Sequence, residues 1–287
     1  MKSIQTKGLH RNTIDKYYTN PSVVQQCIEY VKTHIQIDPT NDFIIEPSAG
    51  NGAFIAGIKS LSNQYAFYDI EPEHPEIVQQ DYLAWEHTSI ATAAHPRNIH
   101  VIGNPPFGRQ SSMAIRFIKR SALFSKSISF ILPKSFKKDS LQKSFPSHFH
   151  LVFEIDLPDK AFLVDGDEYT VPCIFQIWEK REIHREIRAL QEPRHFQFVG
   201  KGDHPDISVR RVGINAGKID TVIETKSEQS HYFIRFTNGK STEENITELS
   251  QIVYEQNNTV GPKSISKQEL MIRFNPVLDH LSESSRT

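Results

Sequence analysis

The sequence predicts an α/β protein, a mostly parallel sheet with covering helices, followed by a small β-rich C-terminal region. Three observations predict it. Short apolar runs alternate with stretches of helical spacing, the pattern of a parallel sheet. Several of those runs end in an acid or an asparagine, where open α/β sheets hold their ligands. From Pro193 onward the texture changes to short strands separated by turns at Gly200–Gly202, Asn215–Gly217 and Asn238-Gly239.

The whole chain sets limits. Its 287 residues allow one large domain, or one domain and a small one. With 23% charged and 38% hydrophobic residues it has an ordinary globular composition. Cys27 and Cys173 are too few for a disulfide framework, and the scattered histidines have no metal-ligand spacing, so no metal is expected. Met1 to His10 is polar, which argues against a secretory signal, and no run of about 18 apolar residues predicts a membrane span. The cytoplasm, or a host cytoplasm, is the default location.

Taken in order, Tyr17-Tyr18-Thr19-Asn20-Pro21 leads into a helix from Ser22 to about Ile35, with proline at an early helical position. The tyrosine pair before it either lines a ligand site or is a satellite of the core. Asp42 to Glu46 reads as a buried strand flowing into Pro47-Ser48-Ala49-Gly50-Asn51-Gly52 and a helix over 53–58. Gly50 and Gly52 allow a sharp turn and a close backbone approach to a ligand. The turn lacks the Gly-Lys-Ser/Thr ending of a phosphate loop, and a single acid before it suits an ammonium-bearing ligand. A second strand, Tyr65–Tyr68, ends in Asp69-Ile70-Glu71, where a carboxylate can accept from ribose hydroxyls. Asp81, in Gln80-Asp81-Tyr82-Leu83, is placed to take an exocyclic amine.

The strand Ile99–Ile102 runs directly into Asn104-Pro105-Pro106-Phe107-Gly108. Both prolines fix φ and lack an N–H, so the loop is stiff and extended. It aims the Asn104 side chain and the Pro105 carbonyl one way, beside an aromatic ring. Two acceptors and a stacking face suit a planar amine. A helix over 112–123, a strand over 128–133 ending at Pro133, Lys134-Ser135-Phe136-Lys137-Lys138, and strands over 149–157 and 171–178 follow, with 160–168 as a loop. Residues 179–192 read as a charged helical connector. Beyond it, strands are expected at 195–199, 207–212, 221–223 and 231–236, then a helix over 242–256, a last helix opened by Pro262, and a loose tail from Ser282.

Charge is divided along the chain. Asp42 to Glu86 holds eight acidic residues against Lys59 alone, whereas Gly108 to Phe145 holds nine basic residues against Asp139 alone. A basic stretch following the Asn-Pro-Pro-Phe corner is what a phosphate backbone needs. Arg109, Lys134, Lys137 and Lys138 are its candidate contacts. Arg210 and Arg211 either contact nucleic acid or are exposed sheet residues. Pro172-Cys173 is paired as in cytosine-C5 methyltransferases, but without their companion motifs it reads as core.

Together, Tyr17-Tyr18-Thr19-Asn20-Pro21, Glu46 to Gly52, Asp69, Asp81 and Asn104-Pro105-Pro106-Phe107 resemble the Rossmann-type, S-adenosylmethionine-dependent N6-adenine methyltransferases. The likeness is to the subclass with N-terminal cofactor motifs and a C-terminal recognition region, and it covers about residues 11–180. It departs from the usual Tyr-Thr-Pro by the inserted Asn20. The resemblance implies a class I fold with a seven-stranded sheet. It implies a methyltransferase domain over 1–180, a connector over 181–194, and a target-recognition region over 195–287. It makes Asn104, Pro105, Pro106 and Phe107 catalytic. Tyr18, Thr19, Pro21, Glu46, Pro47, Ser48, Gly50, Asn51, Gly52, Asp69, Ile70, Asp81, Tyr82 and Asn104 would hold S-adenosylmethionine. The expected partner is nucleic acid, DNA rather than RNA, with the chain a monomer or weak dimer. Two rivals share the pattern: a glutamine-N5 protein methyltransferase, whose planar amide needs the same corner, and a nucleic-acid-binding module with a decayed site.

Overall fold

The apolar runs at 43–46, 64–69, 99–103 and 127–133 lie side by side in a computed structural model that describes residues 17–85, 97–164, 166–186, 189–254 and 263–283. The chain divides into two compact units, Met1–Ile187 and Arg188–Thr287. In the first unit the elements are β1 (Tyr18–Thr19), α1 (Pro21–His34), β2 (Phe43–Glu46), α2 (Ile55–Lys59), β3 (Gln64–Asp69), β4 (Val78–Gln79) and β5 (Ile99–Gly103). They continue as α3 (Ser112–Ala122), β6 (Ser127–Pro133), α4 (Asp139–Gln142), β7 (Phe149–Asp156), β8 (Phe162–Val164), β9 (Asp167–Tyr169) and β10 (Cys173–Lys180).

Seven strands form the expected mostly parallel sheet in the order β4-β3-β2-β5-β6-β10-β7. Only β10 is antiparallel, pairing Cys173 with Pro133 on one side and Ile174 with Asp156 on the other. Strand alternation sends successive side chains to opposite faces. Ile44, Ile102, Ile131, Phe175 and Ile177 meet Val23, Val24, Cys27, Ile28 and Val31 of α1. Ile45, Val101, Phe130, Leu132, Ile174 and Trp178 meet Ala114, Phe117 and Ile118 of α3. Both faces are therefore covered, which is why these strands carry apolar residues on both faces. Cys173 belongs to this core, and burial pushes its thiol well above the ordinary range.

Helix α1 starts where expected: the Asn20 side chain accepts the Ser22 N–H at 3.1 Å and Pro21 occupies the first turn. Below the opposite, amino-terminal end of the strands sits a buried polar cluster. His100 Nδ1 lies 2.7 Å from Ser127 Oγ and His100 Nε2 lies 3.3 Å from Asp42 Oδ2. Asp42 also accepts from Asn98 at 2.9 Å and from the Asp38 N–H at 2.8 Å.

Several expectations are corrected. The segment expected as a loop over 160–168 contains a hairpin, β8–β9, and β1 adds to it as a third antiparallel strand. Among its described residues the connector contains no helix. After β10 the chain runs irregularly over 181–186, where Arg185 donates to the carbonyls of Phe149, Gln142 and Phe145 at 2.8–3.0 Å. Three fixed acceptors for one guanidinium outweigh a local helical preference.

The second unit contains β11 (Phe196–Val199), β12 (Ile207–Arg210), β13 (Ile219–Asp220), β14 (His231–Phe236), α5 (Thr242–Leu249) and α6 (Lys267–Glu283). Its sheet is antiparallel, in the order β11-β14-β12-β13. Phe196, Ile207, Val209 and Ile234 pack on Leu270, Met271, Phe274 and Leu278 of α6. The strand expected at 221–223 lies earlier, at Ile219–Asp220, with Asp220 accepting the Val222 N–H in a turn that ends it. Helix α5 stops at Leu249, short of the expected 256, and α6 extends through Ser282. Arg11 to Lys16, at the start of the span the resemblance covers, and Asp165, Gln256 and Pro262 lie outside the described residues. Among the described residues no helix is long and apolar enough to cross a membrane.

Candidate active site

The carboxyl ends of the parallel strands open onto a cavity of about 490 Å³. That volume lies in the range of sites for small molecules and cofactors. Strand β5 ends at Gly103, where a Cβ would come within 3.2 Å of Glu46 Cγ, a contact that would push on the Glu46 side chain. The next residue, Asn104, lines the cavity together with Pro105, Pro106 and Phe107. Its Nδ2 donates to the Tyr17 carbonyl at 3.1 Å and to Thr19 Oγ1 at 3.3 Å. Its backbone carbonyl accepts the Ser48 hydroxyl at 3.1 Å. Asn104 Oδ1 is shielded from solvent and has no hydrogen-bond partner. The corner is closed from behind, since the Phe107 carbonyl accepts the N–H groups of Met113 and Ala114 at 3.1 and 3.3 Å. Gly108, Gln110 and Ser111 all have positive φ, at 66°, 52° and 62°. Two non-glycine residues in that region represent backbone strain directly beside the corner.

At the end of β2, Glu46 is 2% exposed and its Oε2 has no partner. Burial, reinforced by the negative charge of Asp69, pushes its carboxyl well above the usual carboxylate range. A buried acid without a partner is costly unless a cation reaches it. The following turn is tied to its neighbour strand. Asp69 Oδ2 accepts the Gly50 N–H and Oδ1 accepts the Glu71 N–H, both at 2.8 Å. Gly50 has φ +53°, and a Cβ there would meet the Tyr18 ring at 3.3 Å. The Tyr18 hydroxyl donates to Glu73 Oε1 at 2.6 Å, spanning the mouth from β1 to the loop after β3. Asp81 accepts the Leu83 N–H at 2.9 Å and also lines the cavity.

Of the residues singled out from the sequence, Tyr18, Thr19, Glu46, Pro47, Ser48, Gly50, Asn51, Asp69, Ile70, Asp81 and Tyr82 meet the Asn104 corner around this one cavity. Tyr82 does so as a core residue: its ring is buried against Phe117 and its hydroxyl lies 2.8 Å from Ser121 Oγ. Pro21 and Gly52 are not in the lining. Pro21 opens α1, and Gly52 shapes the turn at φ +84° with Ile55 and His74 packed where a Cβ would be. Lys134 pairs with Asp156 at 3.3 Å, and Lys137 with Asp156 at 2.9 Å and Glu154 at 3.9 Å, so β7 neutralises part of the basic stretch. Lys138 follows them on the same turn, and Arg109 is exposed just beyond the Phe107 corner. Arg210 and Arg211 belong to the second unit, where Arg210 Nε donates to the Val212 carbonyl and Arg211 lies over the Tyr232 ring at 5.2 Å. The sequence reading missed Glu73, Met113 and Phe117 as lining residues. Helical spacing after Gly108 could have found the last two; nothing local marks Glu73.

Neither a scan of protein-family models nor a search of curated proteins finds a match. Solved structures do align with the chain. A candidate RNA methyltransferase of Pyrococcus horikoshii is 14% identical, covering 58% of this chain and 87% of that one, with a TM-score of 0.45. A candidate class I S-adenosylmethionine-dependent methyltransferase of Listeria monocytogenes is 15% identical, over 62% of this chain and 63% of that one, with a TM-score of 0.42. The methyltransferase subunit of a type I restriction-modification system from Streptococcus thermophilus is 15% identical, over 60% of this chain and 46% of that one, with a TM-score of 0.43. The likeness is one of fold.

Proposed function

We propose that this protein transfers a methyl group from S-adenosylmethionine to the exocyclic N6 amine of adenine in nucleic acid, DNA in preference to RNA. The observation that carries the reading is the Asn104 amide. It is anchored through Nδ2, keeps a shielded and unpartnered Oδ1, and shares one cavity with the unpartnered Glu46 carboxyl and with Asp69 and Asp81.

The donor set fits the cofactor. Glu46 supplies an acceptor that lacks only a cation, as an amino-acid ammonium would provide. Asp69 retains acceptor capacity beyond its two backbone donors, since a carboxylate has about four lone-pair sites. Asp81 and the Gly50 turn complete the bed. S-adenosylmethionine supplies an electrophilic methyl group on a sulfonium. The protein's part is acceptor placement. An adenine amine is a poor nucleophile because its lone pair is delocalised into the ring. Asn104 Oδ1 and the Pro105 carbonyl accept its two hydrogens and favour positive charge as it builds on nitrogen. Phe107 offers a ring to stack on a base withdrawn from its helix. Arg109 and Lys138 are the basic groups proposed for the phosphate backbone, with Lys134, Lys137, Arg210 and Arg211 as further contacts.

The test is labelled-methyl incorporation into matched single- and double-stranded DNA and RNA and into a glutamine-bearing peptide, followed by nucleoside and amino-acid analysis. N6-methyladenine is expected. Label recovered only on peptide glutamine, or on another base, would reject the reading.

A further inference from the structure

The Asn104 amide is held entirely from its nitrogen end, by a strand that is not part of the main sheet. A carbonyl has no proton and only accepts, so the end of the amide 3.1 Å from the Tyr17 carbonyl is the NH₂. Thr19 Oγ1 is a second acceptor for that nitrogen, at 3.3 Å. The Tyr17 carbonyl sets which end of the amide is Oδ1, and the Thr19 hydroxyl adds a second contact that holds the nitrogen end in place. The acceptors lie 87 and 85 residues earlier in the chain. Their position is fixed by the β8–β9 hairpin: Tyr18 pairs with Leu163, Thr19 pairs with Phe162, and the Asn20 N–H donates to the Ala161 carbonyl at 2.9 Å. The Tyr17 ring is stacked on Tyr169 at 5.7 Å and meets the edge of Phe162 at 6.0 Å. Thr19 itself is 4% exposed.

We infer that Thr19 is a positioning residue for the methyl acceptor. Its hydroxyl, beside the Tyr17 carbonyl that fixes the sense of the amide, holds the Asn104 side chain in the pose that offers Oδ1 to the amine. The inference rests on the proposed function and adds to it. The resemblance assigns Thr19 to the cofactor, whereas its contact here is with the acceptor-binding asparagine. The β8–β9 hairpin thereby gains a part in acceptor geometry through β1.

The test compares Thr19→Val, which removes the hydroxyl and keeps the branched shape, with Thr19→Ser, which keeps the hydroxyl. In Thr19→Val, kcat for nucleic-acid methylation should fall about tenfold, the order expected for loss of one hydrogen bond. The calorimetric Kd for S-adenosylhomocysteine and the melting temperature should stay at wild-type values, and Thr19→Ser should restore kcat. Equal losses of kcat in both variants with lowered melting temperatures would overturn the inference. So would a weakened Kd at unchanged kcat, which would mark a cofactor contact. A second readout needs no turnover. The Asn104 side-chain NH₂ resonances, identified by their loss in Asn104→Asp, should move in Thr19→Val and not in Thr19→Ser. Unmoved resonances in Thr19→Val overturn the inference whatever the substrate. A wild-type protein that methylates no adenine, yet shows the shift, defeats the functional reading and leaves the orienting contact standing.

Discussion

Asp69 and Gly50 are joined by a 2.8 Å hydrogen bond that ties the end of β3 to the turn after β2. The same carboxylate takes the Glu71 N–H. Asp69→Ala therefore leaves two backbone donors to be resolvated and removes an acceptor from the cavity. Calorimetry should show S-adenosylhomocysteine binding weakened at least about tenfold, since a hydrogen bond to a charged group contributes about 1.5–3 kcal/mol. Unchanged affinity would place the ligand elsewhere.

Asn104→Ala should reduce methyl transfer by about two to three orders of magnitude, the usual effect of deleting a hydrogen-bonding group that stabilises developing charge. Cofactor binding should survive, because the acids that would hold it sit on other strands. Single-turnover kinetics beside a binding isotherm separates the two; comparable activity in the variant rejects Asn104 as the acceptor site.

Glu46 predicts opposite effects on stability and on binding. Burial and Asp69 raise its folded pKa, so the folded state keeps the proton while the unfolded chain loses it near the ordinary value of about 4.3. Stability is then lost as pH climbs from that ordinary value toward the raised one. Glu46→Gln removes the penalty and should raise the melting temperature at pH 7, with no gain below about pH 4. Binding moves the other way: wild-type affinity for S-adenosylhomocysteine should strengthen as pH rises and Glu46 ionises, and Glu46→Gln should bind weakly with a flat profile. Melting curves and titrations between pH 4 and 9 check both.

The Asp42–His100 pair sits at the far end of the strands from the cavity and should affect stability alone. Burial pushes Asp42 up, but the Asp38 N–H, Asn98 and His100 outweigh it and hold the acid below its usual range. Burial lowers His100, despite the neighbouring Asp42, so it folds neutral. Both shifts act in the same sense: stability is full above the ordinary histidine value of about 6.5 and falls as the pH drops, first through His100 and then through Asp42. Asp42→Ala should cost about 2–4 kcal/mol by urea denaturation at pH 7, since it strands buried partners. A loss under about 0.5 kcal/mol would mean the cluster is solvated.

Gly52 and Gly166 form a matched pair, with φ at +84° and +89°. An added Cβ at Gly52 meets Ile55 Cδ1 at 2.7 Å, while at Gly166 nothing lies within 4 Å. Gly166→Ala should cost about 1 kcal/mol from backbone strain alone, and Gly52→Ala more, by the shift Ile55 must make. Equal melting temperatures for the two variants would show that the Gly52 turn yields freely.

Much of the site was legible because its signals are local. Glu46, Asp69 and Asn104 each terminate an apolar run, and a parallel sheet brings such ends to one edge. The β8–β9 hairpin was not legible: its strands are three residues each, β9 is exposed and begins with two acids, and β1 pairs with it from far earlier in the chain. Arg185 hid the course of the connector in the same way, since its acceptor carbonyls exist only once β7 and α4 are in place. Tyr82, assigned to the cofactor through the resemblance, lines the cavity while its ring also packs in the apolar interior.

Strand β10 enters the sheet between two strands that precede it, and six of its eight residues, Cys173 to Trp178, are buried. Until it has been synthesised, β6 and β7 have no partner at that seam, and β7 has no hydrogen-bonded neighbour in the sheet. A nascent chain that has emerged only as far as residue 170 therefore carries an open slot lined with unpaired amides. Chains truncated there should stick to one another along that slot, whereas addition of ten further residues closes it in one step.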